Sequence, residues 1–333
     1  MRTCVLGAGS FGTSLAKLLA DQGHPTRLWA RRDTVAEAIQ ADRENQAYLP
    51  GFTLPDTLEA TSDLEHALSG AELILCVVPT HGIRSVLEQA APLIGDGVPI
   101  VSGIKGIEND SLMLVSEMFE DVLPESRHDQ LAYLGGPSFA KELAGGVPTA
   151  VCIAGRNADI VERAQHAFTT DRFRVYSTED VVGVELGGAL KNVVAIATGI
   201  ADGLGFGLNT RAGLITRGLA EISRLAIAKG ANPLTLAGLA GMGDLVLTCT
   251  GDLSRNRNVG LQLGQGKTLE EVLDSMQMVA EGVRTTKSAS ALSDQMGVDM
   301  PITKEVYAML YENKPGIDVV GDLMKRPLRA ERE

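Results

Sequence analysis

Three groups of residues in this chain have types and spacings that could do chemistry. The first is Gly7-Ala8-Gly9-Ser10-Phe11-Gly12, a G-x-G-x-x-G run. It directly follows the apolar stretch Arg2–Leu6 and opens a helical pattern, the context that makes such a run a dinucleotide loop rather than a glycine-rich turn without a ligand. The first glycine permits a tight turn, the second leaves room for a pyrophosphate against the backbone, and the third lets helix and strand pack closely. The helix N-terminus then offers unpaired N–H groups and a partial positive charge to phosphate oxygens.

The second group is built on lysines. Lys191 lies in Gly187-Gly188-Ala189-Leu190-Lys191-Asn192-Val193-Val194-Ala195, a helical run of small and apolar residues. Burial there would lower its pKa, whereas a bound phosphate dianion would raise it again. A lysine of this kind can hand a proton to a carbonyl oxygen that gains charge during hydride delivery. The alternative is a side chain snorkelling to the surface. Lys105 follows the apolar stretch Pro99–Ser102, and Gly135-Gly136-Pro137-Ser138-Phe139-Ala140 follows Leu131–Leu134. In doubly wound folds the carboxyl ends of strands face the ligand crevice. Ser138 could serve a ligand or cap the next helix.

The third group is Gly241-Met242-Gly243-Asp244, then Ser254-Arg255-Asn256-Arg257-Asn258. Two arginines with Ser and Asn at a helix start suit a phosphate. At the end of the second apolar stretch, Thr26–Trp29, come Ala30-Arg31-Arg32, and no carboxylate stands where one would hold a ribose 2′-OH. Arginines there suit the 2′-phosphate of NADP, so NADPH is the expected cofactor, with NADH also usable. His81 follows Pro79 at a strand end, where it either faces the cleft or stands in a surface loop.

The elements that must position these groups change character along the chain. Up to about Thr178, short β-rich runs (also Leu73–Val78, Thr149–Ile153 and Arg174–Tyr176) alternate with helical patterns such as Gly12–Gln22, Ile83–Leu93, Leu112–Phe119 and Ile160–Phe168. That alternation predicts a doubly wound α/β sheet of Rossmann type with right-handed crossovers. Ser177 to Asp180 has capping-box-like spacing, and beyond it only helical periodicity is convincing: Val181–Ala201, Thr210–Lys229, Leu269–Met276, Val283–Asp294, Thr303–Glu312 and Ile317–Lys325. The expected division is a dinucleotide-binding domain over 1–178 and an all-α substrate domain over 179–333, with the active site in the cleft between them.

The composition narrows the function classes. The chain has 333 residues, 44% hydrophobic and 22% charged, as in an ordinary soluble globule. A net charge of −12 argues against a nucleic-acid partner. Cys4, Cys76, Cys152 and Cys249 are widely spaced, as reduced buried thiols in a cytoplasmic protein would be, and no His, Cys, Asp or Glu cluster has metal-ligand spacing. The first apolar run is too short for a signal peptide, and Glu185, Lys191 and Asp202 make the weakly polar stretch 181–208 a poor membrane span. Apolar faces in the second half suit either core packing or a homodimer contact. From the residues alone, the function is nicotinamide-dependent reduction of a small anionic carbonyl compound. A reductase of ketopantoate or a β-hydroxyacid, and a dinucleotide-sensing module without turnover, are the competing readings.

Together these segments resemble the bacterial-type NAD(P)-dependent glycerol-3-phosphate dehydrogenase family. The matching pieces are Gly7–Gly12, Ser102–Gly106, Gly135–Ala140, Glu185–Val193, Ala240–Asp244, Ser254–Asn256 and Val279-Ala280-Glu281-Gly282, in the family's order. The Gly-Pro-Ser-Phe-Ala, Leu-Lys-Asn-Val and Ser-Arg-Asn segments are the more specific ones. The resemblance implies reversible reduction of dihydroxyacetone phosphate to sn-glycerol 3-phosphate for phospholipid synthesis. It implies Lys191 as proton donor and acceptor, and Lys105, Gly136, Ser138, Lys191, Asp244, Ser254, Arg255 and Asn256 as substrate contacts. It further implies Ser10, Phe11, Arg31, Arg32, Lys105, Ala140, Arg255, Val279 and Glu281 as cofactor contacts, beside Gly7, Gly9 and Gly12 of the loop.

Overall fold

The computed structural model describes residues 1–276, 280–328, 330 and 331. Its strands are β1 (Thr3–Leu6), β2 (Thr26–Trp29), β3 (Glu44–Asn45), β4 (Leu49–Thr53), β5 (Leu58–Thr61), β6 (Leu73–Cys76), β7 (Ile100–Ser102), β8 (Leu131–Gly135), β9 (Thr149–Ala154) and β10 (Phe173–Thr178). All but β3 and β4, which pair as a small antiparallel ribbon, form one sheet in the order β10-β9-β8-β7-β6-β1-β2-β5. β1, β6, β7 and β8 are buried throughout, as expected of strands covered on both faces. Two apolar layers cover those faces, and a third core fills the helical half.

The strands from β5 to β8 in this order are parallel, but β9 pairs antiparallel with β8, and β10 follows β9. The expected doubly wound sheet is therefore a mixed one. Its reversal has a consequence for position. β10 ends at Thr178, beside Ala154 and so level with Tyr133 in the middle of β8, with the chain running away from the carboxyl ends of β1, β6, β7 and β8. The following helix, Val181–Gly203, climbs along β8. A Cβ on Gly135 would lie 2.7 Å from Val184, and one on Gly188 would touch the Lys105 stem at 3.6 Å. Lys191 is thus carried just past the carboxyl edge of the sheet. The start of this helix is capped by Asp180, whose carboxylate accepts the Gly183 N–H at 3.0 Å; the Ser177-to-Asp180 capping box does not form.

Nearly all of Val181–Gly203 is buried, so its apolar run is the core of the helical half. Among the described residues, two helical stretches, Val181–Gly203 and Pro233–Thr250, are by length and composition apolar enough to cross a membrane; the first is almost wholly enclosed by protein, the second far less so. Helix Arg255–Gly264 meets the central helix at unusually close range. A Cβ on Gly260 would lie 2.0 Å from the Ile196 carbonyl oxygen, and one on Gly199 equally close to the Arg257 carbonyl oxygen. Small residues four apart on both helices permit this backbone approach.

Buried carboxylates tie the rest together. Glu185 on the central helix accepts from Ser116 N at 2.7 Å and Ser116 Oγ at 2.5 Å, at the start of helix Val115–Val122 in the nucleotide half. Burial pushes its carboxyl up to about 8. Glu221 does the same for helix Pro301–Tyr311, accepting from Ile302 N at 2.6 Å and Thr303 N at 3.2 Å. Cys4, Cys76, Cys152 and Cys249 are buried and form no disulfide.

A methyl group at residue 260 would drive these two backbones apart. Gly260→Ala is expected to destabilise the protein by at least the ~1–3 kcal/mol typical of overpacking, seen as a lower urea midpoint, whereas Gly297→Asn in an exposed left-handed turn changes it little.

Candidate active site

Four strand ends converge at the carboxyl edge. Gly7 follows β1, residues 77–80 follow β6, Lys105 lies just after β7, and Gly136 follows β8. The chain diverges to either side between β1 and β6, the switch point at which open α/β sheets bind ligands. The three loop glycines have different surroundings. A Cβ on Gly7 (φ +119°) would lie 2.9 Å from the Val77 carbonyl oxygen, and one on Gly12 only 1.9 Å from the Gly7 carbonyl oxygen. Over Gly9 there is open space. Helix Ser10–Asp21 starts here with no side-chain cap. Room above Gly9 and helix amides facing it fit a dinucleotide pyrophosphate.

Side chains that no sequence pattern pointed to hold this loop. Buried Asn45 on β3 donates to the Ala8 carbonyl at 2.9 Å and to Thr13 Oγ1 at 2.8 Å. Ser10 Oγ donates to the Tyr48 carbonyl at 2.6 Å. Tyr48 also meets Arg32, whose Nη2 donates to its hydroxyl at 2.7 Å. Arg31 and Arg32 are exposed beyond β2. The 44–53 ribbon is too short and irregular to show in the sequence.

The lysines meet at one carboxylate. Asp244 is 1% exposed and stands at the start of helix Asp244–Thr250, behind a π-helical turn over Leu239–Gly243. Its Oδ1 accepts from Lys191 Nζ, and its Oδ2 from Lys105 Nζ at 2.9 Å. Lys105 Nζ also lies 3.4 Å from the Gly136 carbonyl and 5.6 Å from the centre of the Phe11 ring. Ser138 Oγ donates to the same Gly136 carbonyl at 3.1 Å. Burial above all, and Lys105 as well, push the Lys191 amine down to about 7, against the opposing pull of Asp244. Near neutral pH it is therefore poised to give or take a proton. With both amines charged the centre carries one surplus positive charge, which suits an anion.

The 254–256 segment lies on the other flank. Ser254 caps helix Arg255–Gly264, its Oγ accepting from Arg257 N at 3.2 Å. Arg255 is exposed at the first helical position. Asn256 is buried; its Nδ2 donates to Asn192 Oδ1 and its Oδ1 accepts from Gly282 N, each at 2.9 Å. This carboxamide string joins the Lys191 helix to the start of helix Glu281–Gln295. The pairing of Arg255 with Arg257 as phosphate ligands fails. Residues two apart on a helix face different ways, and Arg257 is held by Asp202 at 2.8 Å and Asp252 at 3.0 Å.

Glu281 opens helix Glu281–Gln295, near enough to the Thr80 backbone N–H to feel its dipole. Burial raises its pKa, while Arg255, Lys105 and Lys191 act in the opposite sense. Ala140 opens the short helix Ala140–Ala144 beyond the Gly136 loop. Val279 lies outside the described residues. Among the described residues no three His, Cys, Asp or Glu side chains gather as a metal site would require.

Comparison with known proteins agrees over nearly the whole chain. Residues 2–161 match the family model for the N-terminus of NAD-dependent glycerol-3-phosphate dehydrogenase, and residues 180–321 the model for its C-terminus. A glycerol-3-phosphate dehydrogenase (NAD(P)+) of Citrifermentans bemidjiense is 55% identical over 99% of this chain and 98% of its own. One of Leptospira biflexa is 53% identical over 99% of each chain. The crystal structure of glycerol-3-phosphate dehydrogenase from Coxiella burnetii superimposes with a TM-score of 0.93 at 40% identity, covering 98% of this chain and 99% of that one. A ketopantoate reductase from Ralstonia eutropha shares the fold, with a TM-score of 0.61 at 17% identity over 96% of this chain and 100% of that one.

Asp244 raises the Lys191 pKa, so its removal should lower it further. In Asp244→Asn, the Lys191 amine is expected to titrate below its native value of about 7 in lysine-selective NMR; an unchanged or higher value would contradict the shared-carboxylate geometry.

Proposed function

The chain belongs to the NAD-dependent glycerol-3-phosphate dehydrogenase family, and we propose that Lys191, Lys105 and Asp244 form the centre at which it reversibly reduces dihydroxyacetone phosphate to sn-glycerol 3-phosphate with NADPH or NADH. The observation that carries this assignment is the contact of the buried Lys191 amine with Asp244, beside Lys105, where four strand ends converge. When bound, the nicotinamide supplies the hydride to the carbonyl carbon. As the carbonyl electron pair withdraws to oxygen, the Lys191 ammonium gives that oxygen its proton and is left a neutral amine; in the oxidative direction the amine takes the proton back. Lys105, anchored on Asp244 and Gly136, neutralises developing negative charge.

In the same reading, Gly136, Ser138, Asp244, Ser254, Arg255 and Asn256 form the substrate side of the cleft. Ser254 and Asn256 act largely by placing Arg255 and Asn192, since their own polar atoms are engaged within the protein. Gly7, Gly9, Ser10, Phe11, Gly12, Arg31, Arg32, Lys105, Ala140, Arg255 and Glu281 form the cofactor side, and Val279 completes it in sequence. The nucleotide and substrate units divide near Thr178, where the sheet ends and the Lys191 helix begins. The product supplies glycerophospholipid synthesis. Four buried, unbridged cysteines suit a cytoplasmic setting, and exposed Leu208 and Leu234 are the side chains on which a homodimer contact would rest.

Lys191→Ala is expected to lower kcat by ~10²–10⁴-fold while NADPH still binds, and Lys191→Arg is not expected to restore turnover because a guanidinium does not yield its proton. Wild-type turnover in Lys191→Ala would remove that residue from the mechanism. The sign of the pH dependence follows from the amine. Reduction needs the ammonium, so kcat/KM for dihydroxyacetone phosphate should fall as pH rises through about 7; that for glycerol 3-phosphate oxidation should rise over the same range. Arg255→Ala should raise KM for dihydroxyacetone phosphate by roughly tenfold or more, the loss expected for a hydrogen bond to a charged group; an unchanged KM would refute its phosphate role.

A further inference from the structure

Resting on the reading above, we propose that Arg84 is a positioning residue for the reaction: its two-pronged ion pair with Glu108 holds the segment that sets Lys105 beside Asp244. Lys105 stands on no regular element. It follows the end of β7, in a segment that runs on to helix Val115–Val122. Its contacts with Asp244, Gly136 and Phe11 need a backbone that stays in place, and the three residues after it supply the anchors.

Each of the three is held by a different part of the molecule. Gly106 lies against Thr80 of the turn after β6, where a Cβ would come 2.3 Å from the Thr80 hydroxyl oxygen. The Ile107 carbonyl accepts from the buried Ser288 hydroxyl at 3.2 Å, a proton that Ser288 shares with the Thr285 carbonyl of its own helix. Glu108 is held by Arg84, in the first turn of helix Ile83–Ala90. Arg84 Nε donates to one carboxylate oxygen at 2.9 Å and Nη2 to the other at 3.0 Å. The first contact is a steric fit and the second a divided hydrogen bond. The Arg84 fork is charged and planar, so it fixes direction as well as distance.

The segment needs such a clamp because it is strained. Ile107 and Leu114 bridge antiparallel, and the turn between them puts Leu112 at φ +61°, the left-handed region that a leucine rarely adopts. Conformations of this kind persist where the surroundings over-determine them. Glu108 is the centre of the turn. Its N–H donates to the Met113 carbonyl at 2.9 Å, its carbonyl accepts from Leu112 N at 3.1 Å, and its carboxylate accepts from Ser111 Oγ. Arg84 grips the far side as well, with Nη1 on Asp121 and Nη2 3.4 Å from Met113 Sδ. None of Glu108, Asp121 and Met113 is a residue placed on substrate or cofactor. Without the clamp the strained turn relaxes, and Lys105, three residues upstream, moves with it.

The test is a double-mutant cycle in the intact protein. Reduction of dihydroxyacetone phosphate by NADPH is followed for the wild type, Arg84→Gln, Lys105→Ala and the double variant. Arg84→Gln is expected to lower kcat/KM by about tenfold or more, within the ~10²-fold that a misplaced group can cost. In the Lys105→Ala background the same substitution should cost nothing further, because no amine is left to misplace. The pH profile gives a second readout. Burial and Lys105 hold the Lys191 amine down to about 7, against the pull of Asp244. Moving Lys105 off Asp244 raises that amine, so the fall of kcat/KM with rising pH should shift to higher pH in Arg84→Gln. Glu108→Gln keeps an acceptor for one prong and should show both effects in weaker form; it carries the test if Arg84→Gln does not fold. An unchanged kcat/KM, equal losses in the two backgrounds, or an unmoved pH profile would overturn the proposal. The underlying functional reading has its own separate failure: a wild-type protein that reduces dihydroxyacetone phosphate with neither cofactor.

Discussion

A single buried carboxylate shared by two lysines is the constraint on which the rest of the site depends. Asp244 has almost no exposure and its two oxygens are taken by Lys191 and Lys105. An isolated carboxylate so deep would be strongly disfavoured, and so would either ammonium. The three groups are tolerable only together, and together they leave one positive charge more than they balance. A phosphorylated ketone supplies the missing negative charge. Its arrival also acts on the proton. A nearby dianion favours the ammonium form of Lys191, which burial and Lys105 otherwise disfavour. In the proposed mechanism, binding of substrate would thus load the amine with the proton that reduction consumes.

The fold is arranged to bring that triad to one place. Lys105 comes from a strand end, Asp244 from a π-helical turn, and Lys191 from the middle of the longest helix. The antiparallel pairing of β9 starts that helix below the carboxyl end of β8, so that its first turn passes Gly135 and its middle reaches Lys105. Close packing through Gly199 and Gly260, the Glu185–Ser116 hydrogen bonds and the Asn192–Asn256–Gly282 string then restrict how the helix can slide or rotate. The net charge of −12 does not oppose anion binding here. Screening limits distant charges to about 8 Å at physiological salt, so the local cations dominate the cleft.

Much of this was legible in the sequence, and the illegible part has a common cause. The glycine loop was readable because its chemistry is local: a strand, a turn and a helix start within ten residues. Lys191 stood out because a lone cation among small apolar residues is conspicuous. The role of Asp244 between two lysines was not readable, because its partners lie 53 and 139 residues away along the chain. The reversal of β9 was hidden because an apolar run has no direction until it pairs. β5, Leu58-Glu59-Ala60-Thr61, buries only two of its residues and carries no apolar run, and the 44–53 ribbon is shorter and more irregular still, so Asn45 and Tyr48 were missed with them. Arg257 was misjudged because composition puts cations in a phosphate site whereas helical geometry faces it toward Asp202.

The two lysines are not interchangeable, and the reason lies in their surroundings rather than their type. Lys105 is the less enclosed of the two, and it spans three contacts: the Asp244 carboxylate, the Gly136 carbonyl and the face of the Phe11 ring. Each of these attracts a cation, and each belongs to a loop that must be held: the cofactor loop through Phe11, the Gly136 loop, and the turn before Asp244. Lys105 therefore pins three segments to one another. Among the described residues the hydrogen bond found for the Lys191 amine goes to Asp244, from a helix wall of small apolar residues. The proton that is easiest to move is the one with least to hold it. An enzyme that needs a steady charge and a mobile proton within one hydrogen-bond network obtains both by giving two identical side chains unequal burial around a common carboxylate.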